Sequence, residues 1–441
     1  MIFPLSIRRI SWYNHTVNTQ EGGSRMNMMN NETLEGLRAS YEAFKARGLK
    51  LDMSRGKPDA AQLDLSRPML DMREDFLSED GADTRNYGDP LGIPEARRLF
   101  GALLGVPAGQ VIVGGNASLN LIFDALSRAV LHGPLRGDTP WGRLPHAKIL
   151  CPVPGYDWHF GMCDTLGLET VPIPTREDGP DMDMIESMAR DPAVKGMICV
   201  PMYGNPSGVT YSDAVVDRLA AMEAAPDFRI IWDNAYCVHH LYPEEARRDH
   251  LKNLYAACAA AGHEDRALMF TSTSKMTFAG GGVSAMAGSP KNIARQAELM
   301  TYQLVCYDKV NQLRHARFLP DLEAIEAHMM KHAAIIRPKF ELVLGVMEKE
   351  LSGIARWSRP RGGYFICFFA PKGCAKRIVS LCAEAGVTLT PAGSPFPHGF
   401  DPDDSVIRIA PTYPPLEELR QVMELFPVAV KLAAAEKGVL R

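Results

Sequence analysis

Lys275 stands in the stretch TSTSKMTFAGGG, Thr271 to Gly282, between hydroxyl side chains and a run of glycines, directly after the apolar segment ALMF. An amine shielded from water at a strand end loses its proton at modest cost and can attack an aldehyde to form a Schiff base. The same stretch also reads as a strand end and a turn, because Ser and Gly punctuate loops and a loop lysine is commonly a solvated charge. Other polar clusters bear on the choice. GGNAS follows VIV at Val113, YGNPSG follows CVPM at Met202, and DNAY follows IIW at Trp232. Four such clusters at corresponding ends of buried strands describe one crevice.

An aldehyde cofactor carrying a phosphate and a pyridine ring, pyridoxal 5′-phosphate, has partners that follow from its atoms. Asp233, after a buried run, would be a costly lone carboxylate unless it meets a cation such as a pyridinium N–H; it reads equally well as a turn cap. Tyr236 and Asn205 can reach the ring oxygen, and Tyr156 in PGYDWH offers a face for stacking. His159 in the same motif can orient Asp233. Asn116, Ala117 and Ser118 open a helix whose free amides favour a phosphate, and Ser272 and Ser274 add hydroxyls. Arg408 in VIRIAP either snorkels to the surface or grips a carboxylate with its fork. Gly56 is expected on the substrate side.

The elements that must position these residues are legible as periodicity. Seven short apolar, β-branched runs between residues 110 and 290, at VIVGG, KILCPVP, ETVPIP, GMICVPM, FRIIWDN, ALMFTST and VSAMAGS, alternate with helical segments. This predicts an α/β fold with a mainly parallel seven-stranded sheet covered by helices on both faces. Ligands of such sheets lie beyond the carboxyl ends of the strands, where the clusters fall. After residue 330 the pattern changes to long helices and strand-like pieces, GGYFICFFAP and DSVIRIAP, predicting a smaller α+β domain. The expected division is a disordered extension over 1–25, a loop-rich N-terminal segment over 26–75 packing with the small domain, a large domain over 76–334 and a small one over 335–441.

Composition excludes several classes. The 441 residues carry a net charge of -4, without the basic footprint of nucleic-acid binding. No apolar run approaches the roughly 20 residues of a membrane span. Nine cysteines without a CxxC pair suit neither a disulfide framework nor a zinc site, so no metal is expected and the thiols read as reduced, in a cytoplasmic protein. A nicotinamide-binding reading fails because GGN lacks the GxGxxG spacing.

In their order, NYGDPLGIPEAR, GGNAS, PGYDWH, GNPSG, DNAY, STSK and VIRIAP resemble the class I aminotransferases, fold-type-I pyridoxal phosphate enzymes. SRGKPDAAQLDLS, TSTSKMTFAGGGVS and DKVNQLRH are most similar to the divergent bacterial aspartate aminotransferases. The resemblance implies that Lys275 is the Schiff-base lysine and proton shuttle, Asp233 the pyridinium partner, Tyr236 and Asn205 the partners of the ring oxygen, and Arg408 the clamp on the substrate α-carboxylate. It implies that Tyr87 reaches the phosphate of a neighbouring subunit, hence a homodimer with shared active sites. The implied reaction is ping-pong transfer of an amino group from an L-amino acid, foremost aspartate, to 2-oxoglutarate. Alanine, aromatic amino acids or kynurenine as donors, β-lyase chemistry on the same scaffold, and a non-catalytic ligand-sensing module are the alternatives. One departure stands out: an arginine common in the family two helical turns after the lysine is missing from AGGGVS. Gly280 to Gly282 and the flanking serines are expected to replace it. Arg55, Lys57, Lys309 and Arg314 are the basic candidates for a distal carboxylate.

Overall fold

The computed structural model describes residues 33–71 and 75–439. Its central sheet has eight strands: β1 (Val111–Val113), β2 (Lys148–Val153), β3 (Glu169–Arg176), β4 (Gly179–Pro180), β5 (Val194–Cys199), β6 (Arg229–Asp233), β7 (Ala267–Ser272) and β8 (Ser284–Gly288). Their spatial order is β1-β8-β7-β6-β5-β2-β3-β4. From β7 through β3 the pairings are parallel, whereas β8 runs antiparallel to both its neighbours. Seven strands coincide with the seven apolar runs. The eighth, β4, is a two-residue edge strand closing a turn back onto Thr175 and Arg176. Its Gly-Pro composition carries no strand signal, and an edge is where a strand tolerates proline.

The continuous apolar runs have a direct cause. Along β6, Ile230 and Trp232 join one apolar cluster while Ile231, pointing the other way, joins a second. Each face is covered by helices. On one side Asp213–Ala221 packs Val215, Val216 and Leu219; on the other Ser118–His132 packs Leu121, Ile122, Ala125 and Leu126, a single stripe at helical spacing. Full burial of each such leucine or isoleucine contributes about 1.5–3 kcal/mol.

A second, three-stranded antiparallel sheet is built from β9 (Arg356–Trp357), β10 (Ile366–Phe369) and β11 (Val406–Ile409). The helices Ala375–Glu384 and Leu416–Glu436 pack on it. The 30-residue helix Leu322–Leu351 runs through the expected boundary at residue 334, so the chain passes between the two sheets as one rod. The expected extension over 1–25 lies outside the described residues. The segment after it is less loop-rich than its sequence suggests. A helix over Leu34–Lys45, capped by the Thr33 hydroxyl, places Leu37, Tyr41 and Phe44 in the apolar cluster of the C-terminal helices. Leu51–Asp52 then pairs in parallel with Val387–Thr388. Among the described residues no helix is long and apolar enough to cross a membrane, and no group of His, Cys, Asp and Glu has a metal-holding arrangement.

Candidate active site

The strand ends converge as their polar residues require. Asp233, the last residue of β6, is buried at 2% exposure; its Oδ2 lies 3.2 Å from His159 Nε2, and its Oδ1 has no hydrogen-bond partner among the described residues. His159 is held one turn into the helix Asp157–Thr165, with Tyr156 edge-on at a centroid distance of 5.0 Å. Tyr236 is buried three residues beyond Asp233, and burial pushes its phenol well above the ordinary value. Burial also raises the Tyr156 phenol. Both therefore stay protonated donors at neutral pH.

Lys275 sits in the turn after β7, partly buried, with Nζ 4.9 Å from the centre of the Tyr236 ring. Burial lowers its pKa, and the charge of Asp233 opposes that shift. Nζ makes no hydrogen bond or ion pair among the described residues. The backbone of the same turn is tied down from behind. The Tyr364 hydroxyl donates to the Lys275 carbonyl at 3.3 Å and receives a bond from Gln62 Nε2 at 3.1 Å. Gln62 Nε2 also lies 3.0 Å from His332 Nδ1. Because Gln62 Oε1 accepts from the Asp59 amide, its nitrogen is the donor and His332 Nδ1 the acceptor. His328 Nε2 donates to the Met276 carbonyl at 2.8 Å. Burial drives the His332 pKa down to about 4, which keeps the neutral ring whose Nδ1 can accept, and burial also lowers the pKa of His328.

At the end of the crevice beyond β1, Ala117 is the N-terminal cap of Ser118–His132 and makes no side-chain cap bond to the first amides. Asn116 Nδ2 donates to the Ala279 carbonyl at 3.1 Å, and the hydroxyls of Ser272 and Ser274 lie 2.7 Å apart. A Cβ at Gly282 would come within 2.9 Å of the Asn116 carbonyl oxygen and 2.8 Å of the Ser274 nitrogen, so only glycine lets these two loops close on each other.

Arg408 enters from β11 of the second sheet. Its Nη1 lies 3.0 Å from Asp157 Oδ1 and 3.4 Å from Asn205 Oδ1, and its Nε lies 3.5 Å from the Thr390 hydroxyl. The Phe365 ring covers the guanidinium at 5.2 Å. A Cβ at Gly56 would fall 2.0 Å from Phe365 Cζ, which brings the Gly56 backbone to the same wall. Tyr87 is not part of this crevice within one chain: it is 79% exposed. Of the basic candidates, Lys309 is fully buried against Asp89 at 3.0 Å, a structural pair, while Lys57 lies over the Tyr413 ring at 3.9 Å. Arg55 is exposed, and Arg314 has its Nε buried without a partner among the described residues.

Sequence reasoning missed Asp157, the ion-pair partner of Arg408, and the Gln62, His332 and Tyr364 bracket. The acidic neighbour of Tyr156 was visible in PGYDWH, but nothing local announces a partner 251 residues away.

These residues fit pyridoxal phosphate on a ground independent of motif. The orphaned Asp233 Oδ1 is an acceptor kept dry at a strand end, where it is unfavourable unless a protonated ring nitrogen completes it. The uncapped helix amides and paired serines suit a phosphate. The sequence matches the aspartate amino-transferase family over residues 27–440. It is 43% identical to an aspartate aminotransferase of Corynebacterium glutamicum over 91% of this chain and 94% of that one. A crystal structure of an aspartate transaminase from the same organism superposes with a TM-score of 0.89 at 43% identity, covering 92% of this chain and 96% of the other. The α-aminoadipate aminotransferase of Thermus thermophilus, solved with N-(5′-phosphopyridoxyl)-L-leucine, shares the fold at a TM-score of 0.71, with 91% and 97% coverage and 19% identity. The chain belongs to the aspartate amino-transferase family, pyridoxal phosphate-dependent enzymes of fold type I.

Proposed function

We propose that this enzyme transfers the amino group of L-aspartate to 2-oxoglutarate in a ping-pong reaction, as a homodimer. Bound pyridoxal phosphate supplies an aldehyde that exchanges Lys275 for the substrate amine and a ring that withdraws electrons from the substrate Cα. Asp233 keeps the proton on the ring nitrogen, and His159 holds that carboxylate in place. Tyr236 and Asn205 donate to the ring oxygen, and Tyr156 covers the ring face. The amides of Asn116, Ala117 and Ser118 with the hydroxyls of Ser272 and Ser274 hold the phosphate in place of the missing arginine. Lys275 would serve as the base that takes and returns the substrate Cα proton, a task suited to an amine whose pKa burial has lowered. Arg408 grips the α-carboxylate and Gly56 leaves it room. Tyr87, exposed here, reaches the phosphate of the partner subunit's site.

The observation that carries this reading is the buried, half-unpartnered carboxylate of Asp233 in one crevice with an unpaired lysine. The aspartate donor is supported by the 43% identity to the Corynebacterium enzyme. Nine free cysteines, none paired, support a reducing, cytoplasmic setting. The test is a visible spectrum of the purified holoenzyme before and after L-aspartate. Conversion of the cofactor band to that of its aminated form supports the reading; a band unmoved by aspartate removes the substrate assignment.

A further inference from the structure

Arg408 is the one cation the proposed function assigns to the substrate α-carboxylate, yet a carboxylate of the protein already sits on it. Asp157 Oδ1 lies 3.0 Å from Arg408 Nη1, whereas the other contacts of the guanidinium, to Asn205 and Thr390, stretch to 3.4 and 3.5 Å. The pair spans the two sheets: Arg408 belongs to β11, and Asp157 is the first residue of the helix after β2. The Asp157 side chain makes no other hydrogen bond among the described residues. Its position at a helix start gives it no capping task either, because the cap residue is Tyr156. The two partners differ in freedom. The Arg408 side chain is 11% exposed and boxed in by Phe365, while that of Asp157 is 32% exposed and borders water.

A substrate α-carboxylate and the Asp157 carboxylate are the same kind of ligand for the same guanidinium. One guanidinium neutralises one of them; a second carboxylate beside the first meets like-charge repulsion in a partly dry site. We infer that Asp157 is a positioning residue that acts through Arg408: it holds the guanidinium until substrate arrives and is exchanged for the substrate α-carboxylate, thereby setting substrate affinity. The exchange is the same for amino acid and keto acid, because both carry that carboxylate. It is complete before any proton moves, so it changes ground state and transition state alike and belongs in KM rather than in kcat. The inference rests on the proposed role of Arg408.

The experiment compares wild type with Asp157→Asn and with Asp157→Ser, a good helix-start residue that covers a failure of the first variant to fold. KM for aspartate and for 2-oxoglutarate should each fall on the order of tenfold with kcat unchanged, the scale of one charge-assisted bond. The Kd of succinate, a dicarboxylate that cannot react, should fall by the same factor in calorimetric titration of the holoenzyme. Weaker or unchanged succinate binding in both variants would overturn the inference, the former assigning Asp157 to aligning Arg408 for substrate. Wild type that binds succinate but fails to transaminate aspartate would remove the proposed reaction while the succinate affinities still decide the exchange. Wild type that binds no succinate would remove Arg408 as a carboxylate site and the inference with it.

Discussion

On the crevice side of residues 273–277, polar atoms stand without hydrogen-bond partners among the described residues: Lys275 Nζ faces only the Tyr236 ring at 4.9 Å, and Asp233 Oδ1 is buried and bare. On the far side of the same five residues three carbonyls are engaged. Thr273 accepts from the Met276 and Thr277 amides, Lys275 from the Tyr364 hydroxyl, and Met276 from His328. A buried polar atom without a partner costs about 1–3 kcal/mol. The chain braces the back of this turn with side chains drawn from residues 62, 328, 332 and 364, while its front offers a lysine and a carboxylate oxygen that those side chains do not reach. On the proposed function the front receives atoms the chain does not carry, and the back keeps the lysine aimed at them.

The contrast can be broken by substitutions on each side, because front and back should fail differently. Lys275→Ala removes the amine at the front and should abolish transamination while leaving the far-side bonds and the melting temperature intact; retained turnover would sink the assignment. Asp233→Asn keeps the shape and removes the charge. Turnover should fall on the order of 10³-fold, about 4 kcal/mol in the barrier. The cofactor-free protein should be no less stable, since an uncompensated buried carboxylate has been relieved; a marked loss of apo stability would show that Asp233 is structural.

At the back the signs reverse. Tyr364→Phe deletes one hydroxyl and strands both the Gln62 amide and the Lys275 carbonyl, so urea unfolding should report a loss of about 1–3 kcal/mol, with kcat within tenfold of wild type. An unfolding curve that does not move would mean the bracket contributes nothing. The back is also where acid should act. His332, and His315 bonded to Thr277, are both held down to about 4 by burial, below the ordinary 6.5 of an unfolded histidine. Between those values the unfolded chain binds more protons, so the stability these rings contribute is full above pH 6.5 and is lost as pH falls toward 4. The slope is about 1.4 kcal/mol per pH unit for each ring. His332→Asn should flatten the stability profile in that window by about one proton without shifting the profile above pH 7. Smallest of all, Tyr87→Phe removes one hydrogen bond to the phosphate across the proposed dimer and should weaken cofactor retention by about tenfold in dialysis. No change would leave Tyr87 outside the site.

The front of the loop was legible in the sequence and the back was not. Asp233 ends a buried strand and Lys275, Asn205 and the Asn116–Ser118 turn each follow one, and in a parallel sheet every strand of one direction delivers its last residues to the same edge. Local order along the chain therefore becomes proximity. Two elements lie outside what the sequence pattern predicts: β4, because Gly-Pro carries no strand propensity, and the helix Leu34–Lys45 inside the segment expected to be loop-rich, although Thr33 and the Leu37, Tyr41 and Phe44 stripe announce it.

By itself the sequence determined which groups can do chemistry and the sheet edge they share, because periodicity and strand-end position are local properties of the chain. Only the tertiary structure decided which partners those groups keep. Asp157 meets Arg408 across 251 residues, Gln62 meets His332 across 270, and Tyr364 meets Lys275 across 89. These contacts depend on how elements far apart in the chain pack together, and no pattern short enough to read along the chain carries that packing.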